Sequence, residues 1–149
     1  MPRILVLDAS VAFKWFVRDE VFWEIANKLL IQFLENQIEF HAPHLLKYEL
    51  ANSLYKAQKA SNARISPFQC QIVYKRFFQL PIKFHIFHDS EMQSILEFSV
   101  KFNRNFYDST YVWLAGVLDC EWLTCDEKYC GQLPDGFPRE RILMLQDFS

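Results

Sequence analysis

Four acidic residues, Asp8, Glu49, Asp108 and Asp126, lie far apart in the sequence, yet each stands beside an apolar run or on a helical segment. Carboxylates brought together repel one another, so they take up protons or bind a cation. An all-oxygen ligand set of this kind suits Mg²⁺ or Mn²⁺. Each residue also has a plainer reading. An aspartate after a strand is often a cap or turn residue, Asp108 can be an N-cap, and Glu49 shares a polar helix stripe with Asn52, Ser53 and Lys56. The chemistry therefore depends on the fold placing the four at one point.

The elements that would do so alternate between strand and helix. Arg3 to Leu7 reads as a strand buried on both faces, ending at Asp8. Ser10 is placed to cap a short helix through Lys14 and Phe16, and Asp19-Glu20 to open a second one carrying Val21, Phe22, Ile25, Leu29 and Phe33. Ile38 to Ala42 is a second strand, and Pro43 starts a helix with Leu46, Leu50, Leu54 and Ala57 on one face. Ser66-Pro67 announces another helix, stopped by Pro81, before a strand over Ile82 to Phe87. Asp89 is expected to cap a helix from Glu91 to about Phe102. Ser109 to Leu118, opened by Asp108, is apolar nearly all round and should be central and buried. Strands over Glu121 to Cys125, ending at Asp126, and over Ile142 to Leu145 complete the set. This order implies a three-layer α/β/α sandwich with a central, mainly parallel sheet. Asp8 and Asp126 then share the rim at the carboxyl ends of the strands, where open α/β folds place their ligands.

Composition sets the outer bounds. A chain of 149 residues with 51% hydrophobic and 23% charged residues is read as a single globular domain, 1–149, and not as a disordered one. No apolar run approaches the ~20 residues a membrane span needs. The apolar stretch of Met1 to Asp8 is too short for a secretory signal, so a reduced cytoplasmic setting is expected for Cys70, Cys120, Cys125 and Cys130. Only three glycines occur, none in a phosphate-cradling pattern. The pairs His41/His44 and His85/His88, with the cysteines, allow a zinc site, although their spacings match no common zinc module.

Four segments carry a family resemblance: Asp8-Ala9-Ser10-Val11, Tyr48-Glu49-Leu50-Ala51-Asn52-Ser53-Leu54, Tyr107-Asp108-Ser109-Thr110-Tyr111 and Leu123-Thr124-Cys125-Asp126-Glu127. In this order and at these separations the chain resembles a PIN domain of the VapC type, the toxin ribonucleases of toxin–antitoxin pairs. The resemblance spans essentially the whole chain. It implies a PIN-like fold and Mg²⁺- or Mn²⁺-dependent hydrolysis of RNA phosphodiester bonds. It makes Asp8, Glu49, Asp108 and Asp126 the acidic quartet. Asp8 and Asp108 would be direct ligands, Glu49 a ligand or the group that positions the attacking water, and Asp126 a ligand of a second ion or one acting through water. Ser10 and Thr124 match small hydroxyl positions that orient carboxylates. An antitoxin partner covering the site and a homodimer are implied in the same way.

The charge distribution suits a nucleic-acid substrate better than the net charge of −2 suggests. Residues 50–88 contain no Asp or Glu and carry Lys56, Lys59, Arg64, Lys75, Arg76 and Lys83, a local +6. Lys56, Lys59 and Arg64 are candidates for contacts to an RNA backbone; the plainer reading is that such side chains solvate two helices. Two other functions share the fold class. A Mg²⁺-dependent phosphatase of the haloacid-dehalogenase type would need a second aspartate at position 10, which is Ser10. A non-catalytic binding module would keep the fold without the metal.

Overall fold

The computed structural model describes residues 1–149. Strand β1 (Arg3–Leu7) leads into helices α1 (Ala9–Lys14) and α2 (Trp23–Leu34). Strand β2 (Ile38–Pro43) is followed by α3 (Leu45–Lys59) and α4 (Pro67–Phe77). The short β3 (Lys83–His85) precedes α5 (Asp89–Phe102) and α6 (Phe106–Val117). The chain closes with β4 (Glu121–Thr124), α7 (Glu127–Cys130) and β5 (Ile142–Met144). The five strands form one sheet in the order β3-β2-β1-β4-β5, and every pairing is parallel. No helix is long and apolar enough to cross a membrane.

Leu5, Val6 and Leu7 are fully buried, as the continuous apolar run requires of a central parallel strand. Helix α6 packs across β1, β2 and β4, and Tyr111, Val112, Leu114 and Ala115 are buried along it. An aromatic cluster fills the space between α2 and the sheet: Phe40 lies 5.0 Å from Phe33 and 5.7 Å from Trp15 between ring centroids. Right-handed crossovers put the β1–β2 and β2–β3 connections on one side of the sheet and the β3–β4 connection on the other. The strand order therefore reverses at the β1/β4 junction. The Asp8 amide crosses that junction to donate to the Leu123 carbonyl at 3.1 Å.

Several element starts differ from the sequence expectation, and each has a local cause. Helix α1 is capped by Asp8 itself, whose side chain accepts from the Ser10 amide. Helix α2 begins at Trp23 because Phe22 takes a left-handed conformation (φ 64°); Asp19 and Glu20 instead bind Arg64. Pro43 ends β2, and α3 starts at Leu45. His88, not Asp89, is the cap of α5. Asn105 caps α6, accepting from the Tyr107 and Asp108 amides at 2.8 and 3.2 Å, which places Asp108 inside the first turn. The third strand is three residues long, shorter than the Ile82 to Phe87 run, and α7 is an element the pattern did not announce.

Ser66 opens α4 with a reciprocal capping box: its Oγ accepts from the Gln69 amide at 3.1 Å while Gln69 Oε1 accepts from the Ser66 amide at 2.8 Å. Ser66→Ala is expected to lower stability by about 1 kcal/mol, measured as a shift of the urea midpoint with unchanged slope.

Candidate active site

The reversal of strand order opens a crevice at the carboxyl ends of β1 and β4, where open sheets bind ligands. Asp8 follows β1 directly, and Asp126 follows β4 after Cys125. Asp108 enters from the first turn of α6, and Glu49 from α3. The four distant acids thus face one rim.

Asp8 is buried (7% exposed) and tightly held. Its Oδ2 accepts from the Ser10 amide at 3.0 Å and from the Ser10 hydroxyl, and its Oδ1 accepts from Trp122 Nε1 at 3.2 Å. Ser10 Oγ also accepts from the Cys125 amide at 3.1 Å, so one hydroxyl ties Asp8 to the chain leaving β4. Burial raises the Asp8 pKa, the Ser10 and Trp122 hydrogen bonds oppose this, and the Asp126 charge raises it further.

Glu49 is half-buried and accepts a short hydrogen bond from the Tyr111 hydroxyl. Burial raises its pKa first, Tyr111 opposes, and the charges of Asp8 and Asp126 add to the rise. Asp108 is pushed up to about 7, by burial and then by the charges of Asp126, Asp8 and Glu49. Asp126 caps α7, its Oδ1 accepting from the Tyr129 amide at 2.9 Å. Thr124, fully buried, accepts from the Asp126 amide through Oγ1 at 3.0 Å and so fixes the turn that presents this carboxylate.

Asp108 shares one cleft with Asp126 and another with Glu49. The charges of Asp126, Asp8 and Glu49 add to the rise at Asp108, and none of the four acids takes part in any ion pair of the protein. Concentrated, uncompensated carboxylate charge is a donor set that fits a hard divalent cation. The fit is one of chemistry and not of a finished coordination shell. No group of three or more His, Cys, Asp or Glu side chains is arranged to hold an ion in this conformation, with Asp8 turned toward Ser10 and Trp122 and Glu49 toward Tyr111.

Three clefts open around this rim. One of about 470 Å³ is lined by Asp108, Asp126, Arg104 and Lys128. A second, of about 390 Å³, holds Glu49 and Asp108. A third, of about 480 Å³, runs from Ser10 and Cys125 to Lys56 and Arg64. Among the three basic candidates, Lys56 is exposed in the third cleft, and Lys59 lies over the Tyr55 ring at 5.5 Å. Arg64 differs: it donates to Asp19 at 2.7 and 3.0 Å and to Glu20 at 2.7 Å. Its positive charge is locally compensated, as is that of Lys83, paired with Glu39 at 2.9 Å. The basic segment between residues 50 and 88 is therefore weaker than its composition suggests.

Sequence reasoning missed several supports. Trp122, which holds Asp8, drew no notice in the sequence, and Tyr111, which holds Glu49, stood out only as part of the segment around Asp108; the two rings stack at 5.8 Å. Lys14 is buried and 3.5 Å from Glu20; the signal was its place at the end of the run Val11-Ala12-Phe13, whose members are all buried. One member of each His-x-x-His pair meets the other: His41 Nδ1 lies 2.7 Å from His85 Nε2, and His41 Nε2 lies 2.7 Å from Glu39. All four cysteines are free thiols.

No protein-family model matches this sequence, and no curated protein sequence matches it significantly. Solved structures do. VapC20 of Mycobacterium tuberculosis, described as a sarcin-ricin loop cleaving toxin, superposes with a TM-score of 0.58 at 11% identity, covering 77% of this chain and 83% of its own. PAE2754 from Pyrobaculum aerophilum superposes with a TM-score of 0.64 at 17% identity, over 97% and 85%. VapBC2 from Rickettsia felis, solved bound to a DNA fragment from its promoter, gives 0.60 at 12% identity, over 95% and 98%. At these identities the likeness is one of fold: the chain has the PIN-like α/β architecture.

Proposed function

We propose that this protein is a Mg²⁺- or Mn²⁺-dependent endoribonuclease and the toxin member of a toxin–antitoxin pair. The observation that carries the reading is the rim itself, where Asp8, Glu49 and Asp108, beside Asp126, all bind a proton more tightly than usual and none of the four acids is ion-paired. The likeness in fold to VapC20, a loop-cleaving toxin, supports the choice of RNA as substrate. An antitoxin that covers the rim, and a second copy of this chain, are the partners this reading brings with it.

Asp8 and Asp108 would hold the ion directly, with Glu49 and Asp126 completing the set. A bound divalent ion supplies charge neutralisation at the scissile phosphate and a more acidic water. The chain's own contribution is positioning. Ser10 and Trp122 fix Asp8, Tyr111 fixes Glu49, and Thr124 fixes the turn at Asp126. Asp108, pushed up to about 7 by burial and by its acidic neighbours, takes up a proton near neutrality when no ion is bound. A haloacid-dehalogenase type of phosphatase finds no second acid, because Ser10 binds Asp8 from that position.

The test is incubation of the purified chain with RNA and Mg²⁺ or Mn²⁺. Defined new RNA ends that vanish with chelator support the proposal; intact RNA at every ion concentration overturns it. One observation favours a second reading, a binding module without catalysis: no three ligands are pre-arranged for an ion. RNA binding without cleavage would select that reading.

The basic residues give a separate expectation. Lys56→Glu with Lys59→Glu should weaken RNA binding and reduce the slope of log K against log salt by about 1.4 for a single strand, roughly 0.7 per lost phosphate contact. Filter binding across a salt series measures this. Arg64→Ala should leave the slope almost unchanged, because Asp19 and Glu20 already offset its charge.

A further inference from the structure

We infer that Tyr48 and Tyr107 form a stacking platform for unpaired nucleobases flanking the carboxylates, and that the apolar pocket behind Tyr107 receives one such base. This rests on the proposed reading of the rim as a nucleic-acid site. Both rings are open to solvent, Tyr48 being 65% and Tyr107 60% exposed. They line the same cleft as Glu49 and Asp108, so an aromatic face stands next to each of two carboxylates. Each ring is braced edge-on: Tyr48 by His44 at 5.5 Å, Tyr107 by Phe106 at 6.0 Å. A braced, exposed tyrosine offers a flat surface at little cost in conformational entropy.

Behind Tyr107 lies a pocket of about 220 Å³, walled by His85, Phe87, Met92 and Phe106. Phe87 is held in turn by Trp113, edge-on at 5.6 Å. The pocket shares Tyr107 and Leu45 with the carboxylate cleft, so the two are continuous. A strand whose phosphate sits at the rim has its neighbouring bases within reach of these surfaces. Stacking on aromatics requires bases free of a duplex stack. The occupant that fits this continuity is a base of the same strand, in a single-stranded or looped segment.

The test uses the Asp108→Asn chain without added metal, which removes one repelling charge and prevents turnover. The probe is a single-stranded oligoribonucleotide carrying 2-aminopurine, whose fluorescence falls on stacking. Wild-type tyrosines should quench it. Tyr48→Ala and Tyr107→Ala should each weaken binding about five-fold or more, while Tyr→Phe at either position restores it. A duplex of the same sequence should bind without regard to either tyrosine. Both side chains are exposed, and thermal melts of the variants report their folding. Alanine variants that bind and quench like the parent, or a parent that neither binds nor quenches, would overturn the inference and leave the pocket to an apolar segment of a protein partner. The two readings fail separately. Tyrosine-dependent stacking without cleavage by the metal-loaded wild type sinks the nuclease and keeps the base site. Cleavage with a KM indifferent to both tyrosines does the reverse.

Discussion

Asp8→Asn is expected to leave the fold standing and to reduce divalent-ion-dependent RNA cleavage by about 100- to 1,000-fold, the range for removing one major stabilising group from a transition state. The fold should survive because asparagine keeps the helix cap and one of the two acceptor positions of the carboxylate. Asparagine caps helices as well as aspartate, so α1 keeps its cap. Its Oδ1 can still accept from the Ser10 amide or Trp122 Nε1, contacts the aspartate makes at 3.0 and 3.2 Å. It also carries no charge into a buried position, which removes a desolvation cost. Activity should collapse because the substitution removes the buried anion at the β1/β4 reversal, a proposed direct ligand of the ion. Far-UV circular dichroism and a melting curve report the fold, and initial rates on labelled RNA report the activity. Cleavage at the wild-type rate would remove Asp8 from the mechanism.

The second large effect is a linkage between protons, ions and stability at Asp108. Burial and the charges of Asp126, Asp8 and Glu49 push its carboxyl up to about 7 in the folded protein, from an ordinary value of 3.8. The folded state therefore holds this proton more tightly than the unfolded state does. Below about pH 4 both states are protonated and there is no penalty. Between about 4 and 7 the unfolded state loses the proton first, so folding stability falls as pH rises, and above 7 the penalty is complete. Asp19 and Glu39 run the other way: their partners Arg64 and Lys83 lower their pKa, and what they contribute is lost as pH falls below the usual carboxylate range. Their loss belongs to more acid conditions, so the two trends can be separated.

Asp108→Asn should then raise the melting temperature of the metal-free chain at pH 8 and flatten its decline between pH 4 and 7, while abolishing cleavage. A divalent ion competes with the proton, so Mn²⁺ should stabilise the wild type more at pH 8 than at pH 5.5. At 100 times the dissociation constant the gain is about 2.7 kcal/mol, roughly 5–10 °C for a chain of this size. A variant as pH-sensitive as the wild type, or an ion effect equal at both pH values, would refute the linkage. Loss of stability at a site whose variant gains it is the expected mark of a charge cluster kept for function.

Legibility in the sequence followed the range of the interactions. The strand β1 and the central helix α6 were legible because burial is written locally, as an unbroken apolar run and as apolarity all round. The positions of three carboxylates were legible because they stand where a strand ends or a helix begins, and that of Glu49 from its polar stripe on a helix that follows a strand. What was not legible is non-local. Trp122 reaches Asp8 across 114 residues and Tyr111 reaches Glu49 across 62. Arg64 looked available to RNA because its acidic partners lie 45 and 44 residues upstream, outside the acid-free segment. Helix starts slipped for a different reason. Neighbouring polar side chains compete for the same amides, and Asn105 captures the start of α6 ahead of Asp108.

Calorimetric titration with Mn²⁺ tests directly whether the four carboxylates at the rim act on one ion. The wild type should bind the ion saturably, and Asp8→Asn, Glu49→Gln, Asp108→Asn and Asp126→Asn should each weaken that binding. A chain that takes up no Mn²⁺, or one whose uptake is indifferent to all four substitutions, would contradict it.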